Sequence, residues 1–109
     1  MSVPIGILGL GLYLPKHQLT AADIAKATEG AWSEENVINK LGIKTIYRPG
    51  KEDGTQAMAV KASLEALKDA GIEASEIDLI LSIGEEWKER PLTTTAMVIQ
   101  DEIKAVNAW

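Results

Sequence analysis

The stretch from Ala70 to Gly84 constrains the fold most, because a helical pattern passes there directly into a short apolar run. The run is Ile77 to Ile83, and the polar residues and glycine around it are typical of a strand that helices cover on both faces. Gly71 lies where the helix is expected to end, since glycine adopts the left-handed cap conformation at little cost. A helix that leads straight into a buried strand indicates an α/β domain with parallel strand pairing.

A second apolar stretch, Val3 to Leu14, is interrupted by glycines at positions 6, 9 and 11. This pattern predicts a strand with close backbone neighbours or a bulge, and Pro15 should end it. The spaced glycines also invite comparison with a dinucleotide-binding turn. That interpretation is disfavoured because the third glycine is missing and a proline follows where a helix should begin.

Cap residues and apolar spacing predict the remaining elements. Helices are expected to begin at Thr20, Ser33, Thr55 and either Thr93 or Thr94, with a strand from Ile43 to Tyr47 between the second and third helices. The longest helix should cover Gln56 to Ala70, and Gly42 should close the second helix. On the last helix, Met97, Val98, Ile103 and Val106 are expected on or near the buried side.

The composition excludes several classes of function. With 16 acidic and 11 basic side chains the sequence has a net charge of −5, and it has no Lys/Arg cluster, which argues against nucleic-acid binding. It contains no cysteine, so it supplies no disulfide, thiolate zinc site or cysteine nucleophile. No apolar run approaches the roughly 20 residues that span a bilayer, and the start lacks the basic region of a secretory signal. We therefore expect one domain over residues 1–109 that is cytoplasmic and does not enter membranes.

Few residues are candidates for chemistry within the sequence itself. His17 is the only histidine, so neither a catalytic triad nor a histidine metal cluster is expected, and we interpret it as a solvated loop residue. The acids at 85, 86 and 89 could form a carboxylate pair, but with Lys88 and Arg90 beside them a hydrated loop is the simpler interpretation. Trp109 is expected in a core or interface. Trp32 and Trp87 lie in polar loops, where contact with a ligand or partner is expected.

Several segments together resemble the start of a β-ketoacyl-acyl carrier protein synthase III, a member of the thiolase superfamily. Their order and spacing over nearly the whole chain carry the resemblance more than any one motif does. The segments are Gly9 to Pro15, Leu41 to Lys44, Ala66 to Ile72, Ile77 to Ile80, and Pro91 ahead of a helix that contains Ile99 and Gln100.

The resemblance implies a decarboxylative or non-decarboxylative Claisen condensation in which a cysteine takes an acyl group from a coenzyme A thioester. A carbanion bound to acyl carrier protein or to coenzyme A then attacks that acyl group, and a malonyl-type thioester is its expected source. No cofactor is implied beyond the coenzyme A thioester that serves as substrate, and the intact enzyme is expected to be a homodimer. The implied fold is a layered α/β/α half-domain with a mixed sheet that is incomplete in this chain. The catalytic cysteine, histidine and asparagine would lie beyond Trp109, so residues 1–109 alone are expected to be inactive.

The resemblance also assigns candidate binding residues. Asn36 and Lys40 stand where many bacterial members have a tryptophan and an arginine at the coenzyme A adenine. Lys40 could keep a phosphate contact, but Asn36 cannot stack, so Trp32, four residues earlier, is the candidate for the missing aromatic face. Arg90 stands where members often place an apolar side chain that reaches the partner subunit's acyl pocket, which suggests an altered acyl preference.

Two alternatives stay open from the sequence. Hydroxymethylglutaryl-CoA synthases and other thiolase-like condensing enzymes begin in a similar way. A noncatalytic interaction module, in which the acidic loop at 85–90 contacts a partner and no coenzyme A binds, is the alternative outside the enzymes.

Overall fold

The computed structural model describes residues 3–84 and 92–109 and divides the chain into two compact units. The smaller unit is Leu14–Asp53, and the larger unit combines Met1–Tyr13 with Gly54–Trp109. Along the chain the elements are β1 (His17–Thr20), α1 (Ala21–Ala27), α2 (Glu34–Asn39), β2 (Thr45–Arg48), α3 (Thr55–Ala70), a 3-10 turn (Ala74–Glu76) and α4 (Thr95–Ile103). In the part of the chain described, none of these helices has the length and apolar character needed to cross a membrane.

Side-chain caps fix both helices of the smaller unit. Thr20 is the N-cap of α1: its Oγ1 accepts a hydrogen bond from the Asp23 N–H at 3.2 Å, and Asp23 Oδ2 accepts one from the Thr20 N–H at 2.8 Å. Ser33 Oγ accepts from the Asn36 N–H at 3.2 Å at the start of α2. These reciprocal bonds satisfy N–H groups that a helix leaves unpaired at its start, so the two predicted caps are confirmed.

The paired strands lie in the smaller unit and are antiparallel. His17 is opposite Arg48 and Thr20 is opposite Thr45, so β1 and β2 pair over four residues. The predicted second strand is confirmed, although it begins at Thr45 rather than Ile43. The interpretation of His17 as a loop residue was wrong, because this residue begins β1. Three of the four β1 side chains are polar, so no apolar alternation marks this strand in the sequence.

In the larger unit α3 packs on α4. The core contains the buried residues Ile99, Ile103, Ala105 and Ala108, with Val60, Leu67, Ile77 and Ile80 packed against them. Helix α3 ends at Gly71 with φ of 66°, as predicted, but its N-cap is Gly54, and Thr55 is the first helical residue. The expectation for Met97 and Val106 was wrong, since both are exposed. Met97 is two residues from Ile99 and so points to the opposite side of α4, and Val106 lies beyond the helix end at Ile103.

Neither long predicted strand forms a ladder within the described residues. In the Val3 to Leu14 segment most of the large apolar side chains are exposed. In the Ile77 to Ile83 segment Leu81 is 71% exposed and Ile83 is 90% exposed. The prediction that this second segment is buried on both faces was therefore wrong. Ile77 and Ile80 pack on the core, while the described chain offers nothing to cover the rest.

The glycines of the first segment confirm the predicted close approach of backbones. A Cβ added at Gly9 would lie 2.5 Å from the Ala70 nitrogen, and one at Gly11 would overlap the Ala62 carbonyl oxygen. The Leu10 N–H donates to Asp69 Oδ2 at 2.9 Å. This segment therefore lies directly on the backbone of α3, which only glycine permits at these two positions.

Candidate functional site

The candidate coenzyme A residues lie in the smaller unit, on and just before α2. Asn36 belongs to α2 and Lys40 is its C-cap, and the Lys40 N–H donates to the Asn36 carbonyl at 2.9 Å. Because residues four apart share a helix face, these two side chains start from the same side of α2. Asn36 is half-buried and Lys40 is exposed.

Trp32 lies outside the helix, immediately before the Ser33 cap. Its N–H donates to Thr28 Oγ1 at 3.3 Å, and the Thr28 hydroxyl donates to the Ala25 carbonyl at 3.0 Å. The turn after α1 thus holds the Trp32 backbone in place. The side chain is 38% exposed, so part of its ring is open to a stacking partner.

The Asp23 carboxylate has a structural role. Hydrogen bonds from the Thr20 backbone and then its hydroxyl hold the pKa of the Asp23 carboxyl below its usual range, and Lys26 adds a smaller lowering effect. Across residues 3–84 and 92–109, no three side chains of the His, Cys, Asp and Glu types cluster so as to hold a metal ion. The lowered pKa of Asp23 therefore reports a helix cap and gives no sign of acid–base chemistry.

Each unit of the described chain contains at least one hollow. In the smaller unit a hollow is lined by His17, Gln18, Leu19 and residues 48–51. The ring of His17 lies 3.3 Å from where a Cβ on Gly50 would be. In the larger unit an apolar cleft is lined by residues of the Gly6–Gly9 stretch, of the Ile77–Leu81 stretch, and of α3 and α4. Neither lining includes Trp32, Asn36 or Lys40.

Residues 85–91, which the sequence predicts to be a loop, lie outside the described residues, and with them Arg90, Trp87 and the three neighbouring glutamates. The assignment of Arg90 to an acyl pocket therefore stays a prediction. Trp109 is described and is exposed, so it does not lie in a core of the described chain, and its expected place in an interface stays a prediction.

Comparison with known proteins decides the family. No protein-family model matches the chain. The β-ketoacyl-[acyl-carrier-protein] synthase III of Geobacillus kaustophilus is 37% identical over 103 residues, which are 94% of this chain and 32% of that protein. The protein of the same name from Ehrlichia ruminantium (strain Welgevonden) is 34% identical over 94% of this chain and 31% of its own length. The chain belongs to the β-ketoacyl-[acyl-carrier-protein] synthase III family.

Solved structures agree with this membership. The 3-oxoacyl-[acyl-carrier-protein] synthase III of Aquifex aeolicus superposes with a TM-score of 0.77 at 31% identity, over 94% of this chain and 32% of that one. The priming β-ketosynthase of the R1128 polyketide biosynthetic pathway gives a TM-score of 0.76 at 29% identity, over 94% and 30% of the two chains. Xanthomonas campestris OleA, with a TM-score of 0.72 at 21% identity over 94% and 32%, shares the fold. The predicted thiolase-like α/β half-domain, incomplete in this chain, is confirmed.

The chain spans about a third of the length of the curated relatives that it matches. Family membership is therefore established for these residues, and the activity of a whole enzyme is a proposal. Sequence reasoning missed β1 and the hydrogen bonds that join Trp109 to residues 78–80. No local signal marks either feature, because each depends on a partner that is distant along the chain.

Proposed function

We propose that residues 1–109 form part of the scaffold of a synthase III-type acyltransferase. The reaction is a Claisen condensation of an acyl-CoA with a malonyl-type thioester on acyl carrier protein, in fatty acid or related biosynthesis. The observation that carries the proposal is the match to the Geobacillus kaustophilus synthase III at 37% identity across 94% of the chain. The fold shared with the Aquifex aeolicus synthase III at a TM-score of 0.77 supports it.

The reacting groups come from polypeptide outside these residues. The sequence has no cysteine to accept the acyl group and one histidine, His17, which lies in β1 at the surface. In the proposed enzyme a cysteine thiolate attacks the acyl-CoA carbonyl and coenzyme A leaves as the thiol. Loss of CO2 from the malonyl unit then supplies the carbanion that attacks the acyl-enzyme and frees the thiolate. Residues 1–109 alone carry out neither step.

The residues of this chain that contact coenzyme A at the substrate entrance lie on α2 and at its two ends. Lys40 is exposed and supplies a positive charge for a coenzyme A phosphate, and the open part of the Trp32 ring supplies a stacking face for adenine. Asn36 lies between these two residues in the sequence and is half-buried. Its side chain offers an amide group rather than an aromatic ring. Arg90 modifies acyl preference, and the enzyme acts as a cytoplasmic homodimer.

A chimera tests the proposal: residues 1–109 replace the matching part of the Aquifex aeolicus synthase III. We expect the purified chimera to form an acyl-enzyme from acetyl-CoA and to condense it with malonyl-acyl carrier protein, while the 109-residue chain alone does neither. The Aquifex aeolicus enzyme is the positive control. Acyl-enzyme formation by the chain alone, or a folded chimera without activity, contradicts the proposal.

The entrance is tested in the same chimera by calorimetric titration with coenzyme A. Trp32→Ala should weaken binding roughly tenfold, the size expected when one stacking face worth about 1.4 kcal/mol is lost. Tyr47→Ala is the control, since Tyr47 is a similarly exposed aromatic residue on β2. Equal affinity in all three proteins removes Trp32 from the site. Absence of coenzyme A binding in a folded chimera favours the interaction-module alternative instead.

A further inference from the structure

The hollow beside the β1–β2 pair in the smaller unit has a volume of about 590 Å³. Its lining comes from the first three residues of β1, His17 to Leu19, and from residues 48–51, where β2 ends and the chain turns. A volume of this size lies within the usual range of small-molecule pockets. The proposed condensation gives this hollow no role.

Three of the lining side chains belong to basic residues, and each can donate hydrogen bonds through nitrogen. The strand register places His17 directly opposite Arg48, and directly opposite residues project from the same face of a strand pair. Lys51 lies three residues after Arg48. Among the described residues that line the hollow none is acidic, so Arg48 and Lys51 give it two positive charges.

Hydrogen bonds fix the turn that carries Lys51. The Gly50 N–H donates to Asp53 Oδ2 at 2.9 Å, and the Asp53 N–H donates to the Gly50 carbonyl at 3.2 Å. The His17 Nε2 and Cδ2 atoms lie 3.3 Å from where a Cβ on Gly50 would be. The imidazole of β1 therefore rests against this turn, and the lining is held in place by the smaller unit's own contacts.

The two cations of the hollow are not neutralised by neighbouring acids. Glu52 and Asp53 follow Lys51 in the sequence, but neither lines the hollow, and the Asp53 carboxylate accepts from the Gly50 N–H. Within the described chain the side chains of Arg48 and Lys51 make no hydrogen bond or ion pair. Two positive charges beside one hollow repel each other, and an anion bound between them relieves that repulsion.

We propose that this hollow binds the phosphate group of a small soluble phosphate monoester. The Arg48 guanidinium supplies a planar fork for two phosphate oxygens, Lys51 supplies a point charge, and His17 supplies a further donor. Leu19 and Pro49 supply apolar surface for the organic part of the ligand.

These donors favour a phosphate over the carboxylates of an acidic polypeptide. A phosphate monoester has nearly two negative charges and three acceptor oxygens, which match three donor side chains. A carboxylate has one charge and two oxygens. Glu52 and Asp53 also follow Lys51 directly and repel an extended acidic chain.

Two sources supply this chemistry: the 3′-phosphate of coenzyme A and the phosphate of a separate small metabolite. Only the first source rests on the proposed function. The phosphate site itself rests on the residues that line the hollow.

Titration with inorganic phosphate, followed by NMR, tests the site in the 109-residue chain. Because His17 is the only histidine, its imidazole signals are assigned without ambiguity. At constant pH and ionic strength, phosphate should shift those signals along a saturable curve, whereas acetate should leave them nearly unchanged. Arg48→Gln should weaken phosphate binding at least about tenfold, since it removes a charge and the planar fork.

Lys44→Gln is the matched control, because Lys44 is an exposed cation of the same unit that does not line the hollow. It should change the phosphate affinity by less than about twofold. Lys51→Gln alters a position outside both strands and should weaken binding roughly fivefold, which keeps the test valid if Arg48→Gln fails to fold.

Three results overturn the phosphate site. They are His17 signals that do not saturate with phosphate, acetate binding as tight as phosphate binding, and losses in the Arg48 and Lys51 variants no larger than the loss in Lys44→Gln. Acetate binding of equal strength would indicate the carboxylates of an acidic polypeptide instead.

Competition against bound phosphate distinguishes the two sources. Displacement by coenzyme A but not by dephospho-coenzyme A identifies the 3′-phosphate as the bound group, and displacement by neither supports a separate metabolite. Equal displacement by both contradicts a monoester site. An active chimera with no phosphate binding in the chain refutes the phosphate site alone, whereas phosphate binding with an inactive chimera counts against the proposed function alone.

Discussion

The two units satisfy their backbone and apolar groups in different ways. In the smaller unit β1 pairs with β2, both helices have side-chain caps, and Val37 is fully buried. In the larger unit most of the large side chains of residues 3–13 are exposed, and so are those of Leu81 and Ile83. Hydrogen bonds within the smaller unit pair its strands and cap its helices, whereas the larger unit leaves large apolar side chains uncovered by its own described residues.

The largest expected loss of stability is in the larger unit, at the glycines that pack on α3. Gly11→Ala should destabilise the larger unit by about 3 kcal/mol, because its Cβ would overlap the Ala62 carbonyl oxygen, a backbone atom that cannot rotate away. Gly6→Ala is the matched control, since nothing lies within 4 Å of a Cβ at Gly6. Urea unfolding monitored by circular dichroism measures both variants. Equal stability of the two would show that the segment does not rest on α3.

The next largest loss of stability is expected in the core of the smaller unit. Val37→Ala should cost about 2 kcal/mol, since Val37 is 0% exposed and loses two buried methyl groups. Val106→Ala removes the same atoms from an exposed position in the larger unit and should change the free energy of unfolding by less than about 0.5 kcal/mol. If Val106→Ala proves as costly, the exposed residues of the larger unit are covered in solution.

The caps give a smaller and more local effect. Thr20→Ala should destabilise the protein by about 1 kcal/mol, because the N–H of Asp23 loses the hydroxyl acceptor. Thr94→Ala is the control, since Thr94 is the N-cap of α4 but its side chain makes no cap hydrogen bond. Thermal unfolding should show a lower melting temperature for Thr20→Ala than for Thr94→Ala. A larger loss for Thr94→Ala would contradict the capping argument.

The smallest expected effect is a pH dependence carried by Asp23. Because hydrogen bonds from Thr20 lower the pKa of Asp23 in the folded chain, the folded state binds fewer protons there than the unfolded state at acid pH. The stability that Asp23 contributes is therefore complete above the unfolded pKa and is lost as the pH falls through the folded pKa. The free energy of unfolding should be measured at neutral and at acid pH. It should fall less between the two for Asp23→Asn than for the native sequence.

Local sequence signals predicted the helices well. Ser33 and Thr20 identified two caps and Gly71 identified a helix end, because each acts on N–H or C=O groups within a few residues. The same signals could not place Trp32 relative to Asn36 and Lys40 beyond their spacing. The structure adds that Trp32 lies before α2 while the other two share a face of that helix.

Strand predictions failed where pairing depends on distant residues. Ile77 to Ile83 has the composition of a buried strand, but burial needs other elements on both faces, and Leu81 and Ile83 are exposed in the described chain. β1 has the opposite character, with three polar side chains among four residues, and it forms because β2 lies opposite. Apolar composition indicates that a segment favours a strand, and contact with a partner segment determines whether the strand forms.

The amino-acid sequence by itself determined the Thr20 and Ser33 caps, the end of α3 at Gly71, the close-packing role of Gly9 and Gly11, and membership of the synthase III family. Only the tertiary structure decided which segments pair and which apolar residues remain exposed. The physical reason is range: caps and glycine conformations act within a few residues, whereas strand pairing and burial join residues far apart along the chain.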